Sequence, residues 1–400
     1  MTPQQNNPTG ISVNYIYLVI YLAALSAFGS FVNDMYLPSL PEMTEFFKCS
    51  VPMVQLGLTT GMAGLGLGQI FLGPLSDKYG RKPVLMISLA VFCAAAVVSI
   101  YSPTIHFFLI CRFFQGLGAS GGYFLARTIP ADIYGGRTLA KVMAVTGAIN
   151  GFAPACAPVL GGFVSEHFQW KGVFVFLSIF SVALVASSKG LKETLPPERR
   201  LQGKLSHAFN DYKGLLSNRS FMIHVLFKGS ALGLLFAYIS SAPFIMQTHF
   251  GYSQTEFGLI MGINALFLGA GAMTALKFKI LKRAAFIGGI ILSASVAAEV
   301  AVLLLLDNFM AYELLLIPAM YGMGMIFTVS NTLALKHGRA NAGAASSVPG
   351  TTGYVFGAIV SPLVGYGNIM HSTALVFGVV TCIVLISAFM ARLLPPDIDS

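Results

Sequence analysis

The sequence predicts an all-α integral membrane protein with 12 transmembrane helices in two six-helix bundles. Three observations predict this fold class. The 400 residues are 56% hydrophobic and 10% charged, with a mean hydropathy of +0.75, whereas soluble proteins carry roughly 25% charged residues. A helix that crosses a bilayer needs about 20 mainly apolar residues, and the chain contains a dozen such runs. A polar, basic stretch lies near the midpoint, with six apolar runs on either side of it.

The apolar runs define the predicted helices in chain order. Each run is long enough to span a bilayer and ends at polar, glycine or proline residues. The predicted helices are 13–37, 51–73, 82–101, 105–126, 140–164, 170–188, 220–246, 254–276, 285–306, 311–335, 343–367 and 371–394.

The basic residues indicate the orientation of these helices. Of the 24 Lys and Arg residues, twenty lie in alternate connections, and the other connections hold Lys48 and Lys171 alone. Cytoplasmic loops of membrane proteins are enriched in Lys and Arg, so we expect both termini in the cytoplasm. This distribution of the net charge argues against a nucleic-acid partner. Residues 1–12 contain no Lys or Arg, and no cleavable signal peptide is expected.

The central basic stretch predicts the domain organisation. We expect an N-terminal bundle at 1–188, a cytoplasmic loop at 189–219 and a C-terminal bundle at 220–400. Two repeated bundles place a binding site at their interface. The alternative is a polytopic protein without internal symmetry, because no direct sequence repeat is visible.

Motifs of soluble enzymes and metal sites are not supported. Five scattered cysteines show no CxxC spacing, and the seven histidines show no HExxH motif. The stretch 116–121 matches GxGxxG, but it lies inside an apolar run, where its glycines favour close helix packing over phosphate binding. No Walker sequence is present. We therefore predict no enzyme activity, no metal and no cofactor.

Charged residues inside the spans are the strongest functional candidates. Asp34 lies near the outer end of the first predicted helix, and Arg112 lies about seven residues into the fourth. Both belong to the outer half of the bilayer and can meet if these helices are neighbours. Burial favours a neutral carboxyl and a nearby Arg favours a carboxylate, so a balanced pair can couple proton binding to transport. The alternatives are a static ion pair, or an Asp34 in interfacial water.

A third intramembrane charge, Lys228, lies near the middle of the seventh predicted helix. It faces the cavity to bind an acid or an anionic group, or it has a structural role. Aromatic, hydroxyl and proline residues follow it along 236–244 and suit an adaptable cavity wall. The predicted cavity residues are Asn33, Tyr36, Gln115, Asn150, Lys228, Tyr238, Ser241, Asn331 and Tyr354.

The fifth predicted helix combines prolines with small residues. Pro154 and Pro158 favour a bend, and Gly161 and Gly162 allow close helix packing. This segment is either a packed bend or also a pivot between the bundles.

The stretch 73–85 is the densest cluster of charge in the first half, and it predicts a tight hairpin outside the hydrocarbon. It resembles the G-x-L-x-D-x-x-G-R-K signature of the major facilitator superfamily. The matching residues are Gly73, Leu75, Asp77, Gly80, Arg81 and Lys82. The resemblance spans essentially the whole chain, and it implies the major facilitator fold.

Two further motifs carry the same resemblance. Arg112 with Gln115 and Gly116 resembles the R-x-x-Q-G motif, whose Arg is implicated in proton transfer in proton-coupled members. Pro158, Gly161 and Gly162 match an antiporter signature, although alanines at 153 and 157 replace two of its glycines.

The segments 33–41, 137–143 and 236–240 resemble the Bcr/CflA drug-resistance subfamily. That resemblance implies a monomeric drug/proton antiporter of the bacterial inner membrane, which uses the proton gradient as its energy source and exports small amphipathic drugs. Ser26 stands where some multidrug relatives carry a second acid. Together with Lys228, it moves the expected substrates toward neutral or anionic compounds. The alternative is a proton-coupled transporter of a metabolite or nutrient.

The 73–85 hairpin is also a predicted conformational latch, formed by Gly73, Asp77, Gly80, Arg81 and Lys82. The eleventh helix begins near Gly343 on the same side of the membrane, with its positive dipole end toward Asp77. We expect Asp77 to contact that helix end when the protein opens outward, and to separate from it when the protein opens inward.

Overall fold

The computed structural model describes residues 14–201, 214–337 and 342–394. For residues 337 and 342–347 the description covers the helical backbone and not the side chains. Within these ranges the secondary structure is helical, and no strand occurs. Nine helical runs of the described part are long and apolar enough to cross a membrane, and the longest of them, Gly136–Ser188, contains two long helices in succession.

Six helical elements form the first half of the chain: α1 Tyr15–Asp34, α2 Leu40–Phe47, α3 Val51–Tyr79, α4 Arg81–Ile100, α5 Ile105–Ile133 and α6 Gly136–Ser188. Gln169 has φ 60° and ψ 178°, so α6 is two helices, 136–168 and 170–188, joined at a kink. The second half contains α7 Arg219–Pro243, α8 Gln254–Ala275, α9 Leu281–Leu305, α10 Phe309–His337, α11 Ala342–Leu363 and α12 Ile369–Leu393. With α6 counted as two and the short α2 set aside, the predicted number of 12 long helices is confirmed.

Helices of each half pack chiefly on one another, and in the same pattern. In the first half α5 packs on α3 and α4, and in the second half α10 packs on α8 and α9 in the same way. The largest contacts between the halves are α3 with α11 and α6 with α8. This pattern of contacts is the one expected of two repeated bundles that meet along a central interface. The predicted boundaries of the bundles and of the loop between them stay predictions.

The hairpin between α3 and α4 is shorter than predicted. The helices were expected to end at 73 and restart at 82, but α3 continues to Tyr79 and α4 begins at Arg81. Gly80 alone connects them, with φ 104°, a value that favours glycine. The prediction was wrong here because hydropathy marks the end of an apolar run, and a helix continues beyond it by satisfying its own backbone hydrogen bonds.

Two further helix ends differ from the predictions. The fourth long helix was expected to end at 126, but α5 continues to Ile133. The first was expected to reach 37, but α1 ends at Asp34, and a 3-10 turn and then α2 follow it. Pro38 and Pro41 occupy the first turns of those two short segments, where a missing N–H costs nothing.

The molecule has two ends of different composition. The basic end carries Gly80, the last turn of α5 and Lys189, and the far end carries α2 and the kink of α6. At the far end the backbone N–H of buried Trp170 donates to the Glu42 carboxylate at 3.1 Å. The kink of α6 is thereby attached to α2.

Candidate functional site

Arg112 lies fully buried between α1, α3 and α5. Its Nη1 donates to Val32 O at 3.2 Å and to Gln115 Oε1 at 2.8 Å, and its Nε donates to Gly57 O at 3.3 Å. The guanidinium also lies over the ring of Tyr36, 4.2 Å from its centroid. Every one of these partners is neutral, and Nη2 has no hydrogen-bond acceptor. A guanidinium has five donors and three of them are used, so Arg112 retains the two N–H groups of Nη2 for a carboxylate.

Asp34 is at the same level of the bundle, two residues from the Val32 carbonyl that Arg112 contacts. The predicted neighbours α1 and α5 do pack together. Among the described residues, however, no ion pair joins Asp34 to Arg112. The carboxyl lies within electrostatic range of Tyr36 and of Tyr354 on α11. The two predicted coupling residues therefore lie on neighbouring helices and form no ion pair in this conformation.

A cavity of about 120 Å³ lies between this pair and the basic end. Residues of α1, α5 and α6 line it: Ser26, Tyr123, Arg127, Met143, Thr146, Gly147 and Asn150. Asn150 is the predicted cavity residue that this lining contains. Arg127 was missed, because its position had been assigned to a loop beyond residue 126. The extension of α5 places it inside a helix.

Three predicted cavity residues of the second half lie near this space. Lys228 Nζ on α7 donates to Asn331 Oδ1 on α10 at 2.8 Å. Lys228 also interacts electrostatically with Arg127 of the other half. The Tyr354 ring on α11 packs on Phe236 with centroids 6.1 Å apart, and its hydroxyl lies within electrostatic range of Tyr123 and Arg127.

The other predicted cavity residues lie in the interior of a bundle in this conformation. Gln115 is buried and donates to Ala95 O and Ser99 Oγ, and Tyr36 is buried beneath Arg112. Ser241 is buried and donates to the carbonyl oxygen of its own helix at 238. Tyr238 is buried and accepts from Asn264 on α8, and Asn33 is half-buried at the end of α1. Helical position alone did not determine which way these side chains point.

The far end is closed by contacts between the two halves. Gln55 Nε2 on α3 donates to Ser240 O at 2.9 Å, and Gln247 Nε2 donates to Pro38 O at 3.0 Å. The backbone N–H of Thr255 at the start of α8 donates to Glu166 Oε2 on α6 at 2.9 Å. The cavity therefore lies on the basic side of a sealed far end.

The predicted proline and glycine segment of α6 forms part of this closure. A Cβ on Gly162 would lie 2.3 Å from Gln254 O, and a Cβ on Gly258 would lie 2.3 Å from Pro158 O. The backbones of α6 and α8 thus approach as closely as glycine allows. Gly161 contacts the carbonyl of Met35 in the same way, and Pro154 lies inside the helix one turn before Pro158.

At the basic end, the predicted latch residues form a network within the first half. Arg81 Nε donates to Asp132 Oδ2 at 2.9 Å, and Nη1 donates to Ser76 Oγ at 2.7 Å and to the Asp77 carboxylate. Gly73 packs against a ring of α5, and the Lys82 ammonium donates to Lys189 O at 3.3 Å.

Glu193 completes this network, and the sequence reasoning missed it. Its carboxylate accepts from the backbone N–H of Arg81 at 2.9 Å and of Lys82 at 3.2 Å, so it caps the start of α4. The predicted contact of Asp77 with the helix start near Gly343 falls on residues whose contacts are outside the described part, and it stays a prediction.

A second set of buried acids lies in the other half. Glu299 on α9 is fully buried, and neither of its carboxyl oxygens has a hydrogen-bond partner. It lies within electrostatic range of Glu313 and Tyr312 on α10. Among the described residues, no group of three or more His, Cys, Asp or Glu side chains is placed to hold a metal ion.

Comparisons with known proteins agree with this architecture. The family model described as Major Facilitator Superfamily matches residues 22–362. The Uncharacterized MFS-type transporter YdgK of Bacillus subtilis is 34% identical over 401 residues, which cover 96% of each chain. The Bicyclomycin resistance protein homolog of Haemophilus influenzae is 26% identical over 385 residues, covering 92% of this chain and 93% of that one.

One relative matches a shorter part of the chain, and two solved structures resemble it over nearly its whole length. Multidrug resistance protein MdtL of Escherichia coli is 30% identical over 233 residues, 58% of this chain and 59% of that one. The xylose transporter XylE from E. coli, in a partially occluded inward open conformation, superposes with a TM-score of 0.74 at 14% identity, over 95% of this chain and 98% of that one. An inward-facing bacterial homologue of the lysosomal transporter Spinster gives a TM-score of 0.70 at 14% identity, over 96% and 98%. These two structures share the fold.

Proposed function

The chain belongs to the Major Facilitator Superfamily, and from that premise we propose that it exports small amphipathic drugs in exchange for protons. Membership makes it a multi-pass membrane transporter of small molecules. The relatives named for multidrug and bicyclomycin resistance support drugs as the exported class. The proposal places the protein in a bacterial inner membrane as a monomer, with the basic end and both termini in the cytoplasm.

The observation that carries the proton coupling is the Asp34 carboxyl on α1, which forms no ion pair although α1 packs on α5, the helix that carries Arg112. Arg112 is held by neutral acceptors and retains two free N–H donors at Nη2. A carboxylate at position 34 and these donors attract one another, and protonation of the carboxyl removes that attraction. Proton binding therefore changes how α1 is held against α5, and both helices line the cavity.

The conformation supports export by alternating access. With the far end sealed and the cavity toward the basic end, a compound enters the cavity from the cytoplasmic side. Rocking of the two halves breaks the far-end contacts and releases the compound outward. In that state Asp34 takes up a proton from outside, and return to the present conformation delivers the proton to the cytoplasm.

The test uses everted membrane vesicles and purified protein in liposomes. A growth-inhibition panel in a pump-deficient host, with bicyclomycin among the compounds, first selects a transported drug. The proposal predicts that Asp34→Asn abolishes proton-gradient-driven uptake into everted vesicles and retains downhill exchange of the same drug. Arg112→Ala is expected to lose both activities, because it also removes contacts to α1 and α3.

Glu45→Gln is the matched control, since Glu45 is an exposed acid at the far end. It should leave transport unchanged. Full gradient-driven transport by Asp34→Asn and Arg112→Ala would refute the assignment of proton coupling. Gradient-driven uptake of a nutrient into right-side-out vesicles would instead favour a metabolite symporter on the same fold.

A further inference from the structure

Two basic side chains near the cavity belong to opposite halves of the protein and lie within electrostatic range of each other. Arg127 on α5 lines the cavity, and Lys228 on α7 interacts with it electrostatically. Two cations within electrostatic range repel one another. A negative charge bound near both cations would offset this repulsion.

The partners of Arg127 are aromatic and neutral. Nη2 donates to the Tyr123 hydroxyl at 2.7 Å, and the guanidinium lies 4.5 Å from the centroid of the same ring. Stacking on Tyr123 holds the planar guanidinium in one orientation. Among the described residues no carboxylate forms an ion pair with it. The guanidinium therefore presents its remaining donors in a fixed geometry suited to bidentate binding of an oxyanion.

The partner of Lys228 is also neutral. Its ammonium donates to Asn331 Oδ1 at 2.8 Å, which uses one of three donors and provides no negative charge. The side chain is half-buried near the middle of α7. Removing part of an ammonium's hydration without a counter-ion costs free energy, and no ion pair with Lys228 occurs in the described part of the chain.

Among the described charged and titratable groups near Arg127 and Lys228, Asp34 is the one acid. Asp34 lies within electrostatic range of Tyr354, which is also within range of Arg127, but it contacts neither cation. The rest of the cavity lining supplies hydroxyl, amide and apolar groups, including Ser26, Thr146, Asn150 and Met143. The charged groups near the cavity are thus net positive. Apolar atoms of the cavity lining can contact an apolar ring or chain of a bound molecule.

We infer that this cavity binds amphipathic organic anions, with the carboxylate, sulfonate or phosphate group of the substrate held between Arg127 and Lys228. The inference rests on the proposed export function only in taking this cavity as the transport site. Because the two cations belong to opposite halves, a bound anion removes their repulsion and draws the basic ends of the halves together. Substrate binding thereby favours closure on the cytoplasmic side, which is the step that export requires next.

The test compares two dyes with the same xanthene ring system, the anionic carboxyfluorescein and the cationic rhodamine 123. Binding to the purified protein is measured by equilibrium dialysis, and gradient-driven uptake is measured in everted vesicles. Wild type is expected to bind carboxyfluorescein more tightly than rhodamine 123. Arg127→Gln and Lys228→Gln should each weaken carboxyfluorescein binding by about tenfold or more, since each removes a charge-assisted hydrogen bond, without weakening rhodamine 123.

Conservative and remote variants complete the design. Lys228→Arg and Arg127→Lys keep the charge and should retain most of the preference for the anionic dye. Lys277→Gln and Arg199→Gln remove exposed cations outside the cavity and should change neither dye. A stability measurement of each purified variant with carboxyfluorescein checks folding, and wild type should gain thermal stability that Lys228→Gln does not.

Equal loss of both dyes in Arg127→Gln and Lys228→Gln would overturn the anion site, as would an unchanged preference for carboxyfluorescein. Failure of the proposed function is distinguishable from failure of this site. Dialysis reports anion binding whether or not a proton gradient drives transport. Export of neutral drugs by Asp34-dependent exchange, with no preference between the dyes, would leave the proposed function standing and remove the anion site.

Discussion

The close approach of α6 and α8 predicts that a single methyl group at Gly162 opens the far end. A Cβ at this position would lie 2.3 Å from the carbonyl oxygen of Gln254, against about 3.4 Å or more for an ordinary contact. The two helices must therefore separate by about 1 Å at this point. Overpacking of this kind costs about 1 to 3 kcal/mol, which corresponds to about a 5- to 150-fold shift between the two conformations.

The assay is a distance measurement between spin labels placed on opposite sides of the far-end closure. Lys48→Cys and Thr248→Cys, both exposed, carry the labels in a background whose five native cysteines are replaced. In the parent protein, pulsed electron paramagnetic resonance should give one short distance. Gly162→Ala should add a longer distance, and so should Gly258→Ala, whose Cβ would lie 2.3 Å from Pro158 O.

Gly151→Ala is the matched control, because Gly151 lies on the same helix α6 with no atom within 4 Å of its added Cβ. It makes the same change in helix propensity without the clash, and it should leave the distance distribution unchanged. An unchanged distribution in both Gly162→Ala and Gly258→Ala would refute the reasoning that this interface seals the far end.

Two further predictions concern hydrogen bonds at opposite ends of the molecule. Glu193→Gln should lower the free energy of unfolding by about 1 kcal/mol, because the Glu193 carboxylate caps the N–H groups of Arg81 and Lys82. Thermal unfolding of the purified protein measures this loss. An unchanged melting temperature would contradict the capping role. Gln247→Leu removes the donor to Pro38 O across the closure and should favour the open far end by about 1 kcal/mol. The same spin-label pair reports it, and a distribution identical to that of the parent would show that this bond does not stabilise the closed state.

Helix number and membrane character were predictable because they depend on long stretches of chain. Runs of about 20 apolar residues and alternating basic connections are properties of composition, and neither needs knowledge of packing. The signature around Gly80 also placed the hairpin between α3 and α4 correctly. Two apolar runs joined by a charged turn fit a bilayer only when the turn lies outside the hydrocarbon. Its exact length was not predictable, because hydropathy does not measure where backbone hydrogen bonds end.

The candidate site was harder to predict, because it depends on which face of each helix turns inward. Asp34 and Arg112 were identified as charges in apolar runs, and α1 and α5 proved to be neighbours. Arg127 was missed for the same physical reason, since a basic residue at the end of an apolar run reads as the start of a loop. Tyr238 was placed in the cavity on composition, whereas its hydroxyl accepts from Asn264 inside the second half.

Segments without strong hydropathy signals were also missed. The short helix Leu40–Phe47 lies between two spans, and its Glu42 reaches the kink of α6 and, at 3.4 Å, the side chain of Gln254 on α8. Contacts between residues 89 or more positions apart follow from the folded arrangement and leave no local pattern. The far-end closure, which determines the conformation, consists of contacts of this kind.

Drug-induced proton movement tests the central claim most directly. Everted vesicles containing the protein are energised until a pH-sensitive dye such as acridine orange is quenched, and a transported drug is then added. Exchange of drug for protons predicts that the drug reverses part of the quench in wild type and not in Asp34→Asn at equal expression. A drug that crosses the membrane through the wild-type protein without any change in the quench would contradict proton-coupled export.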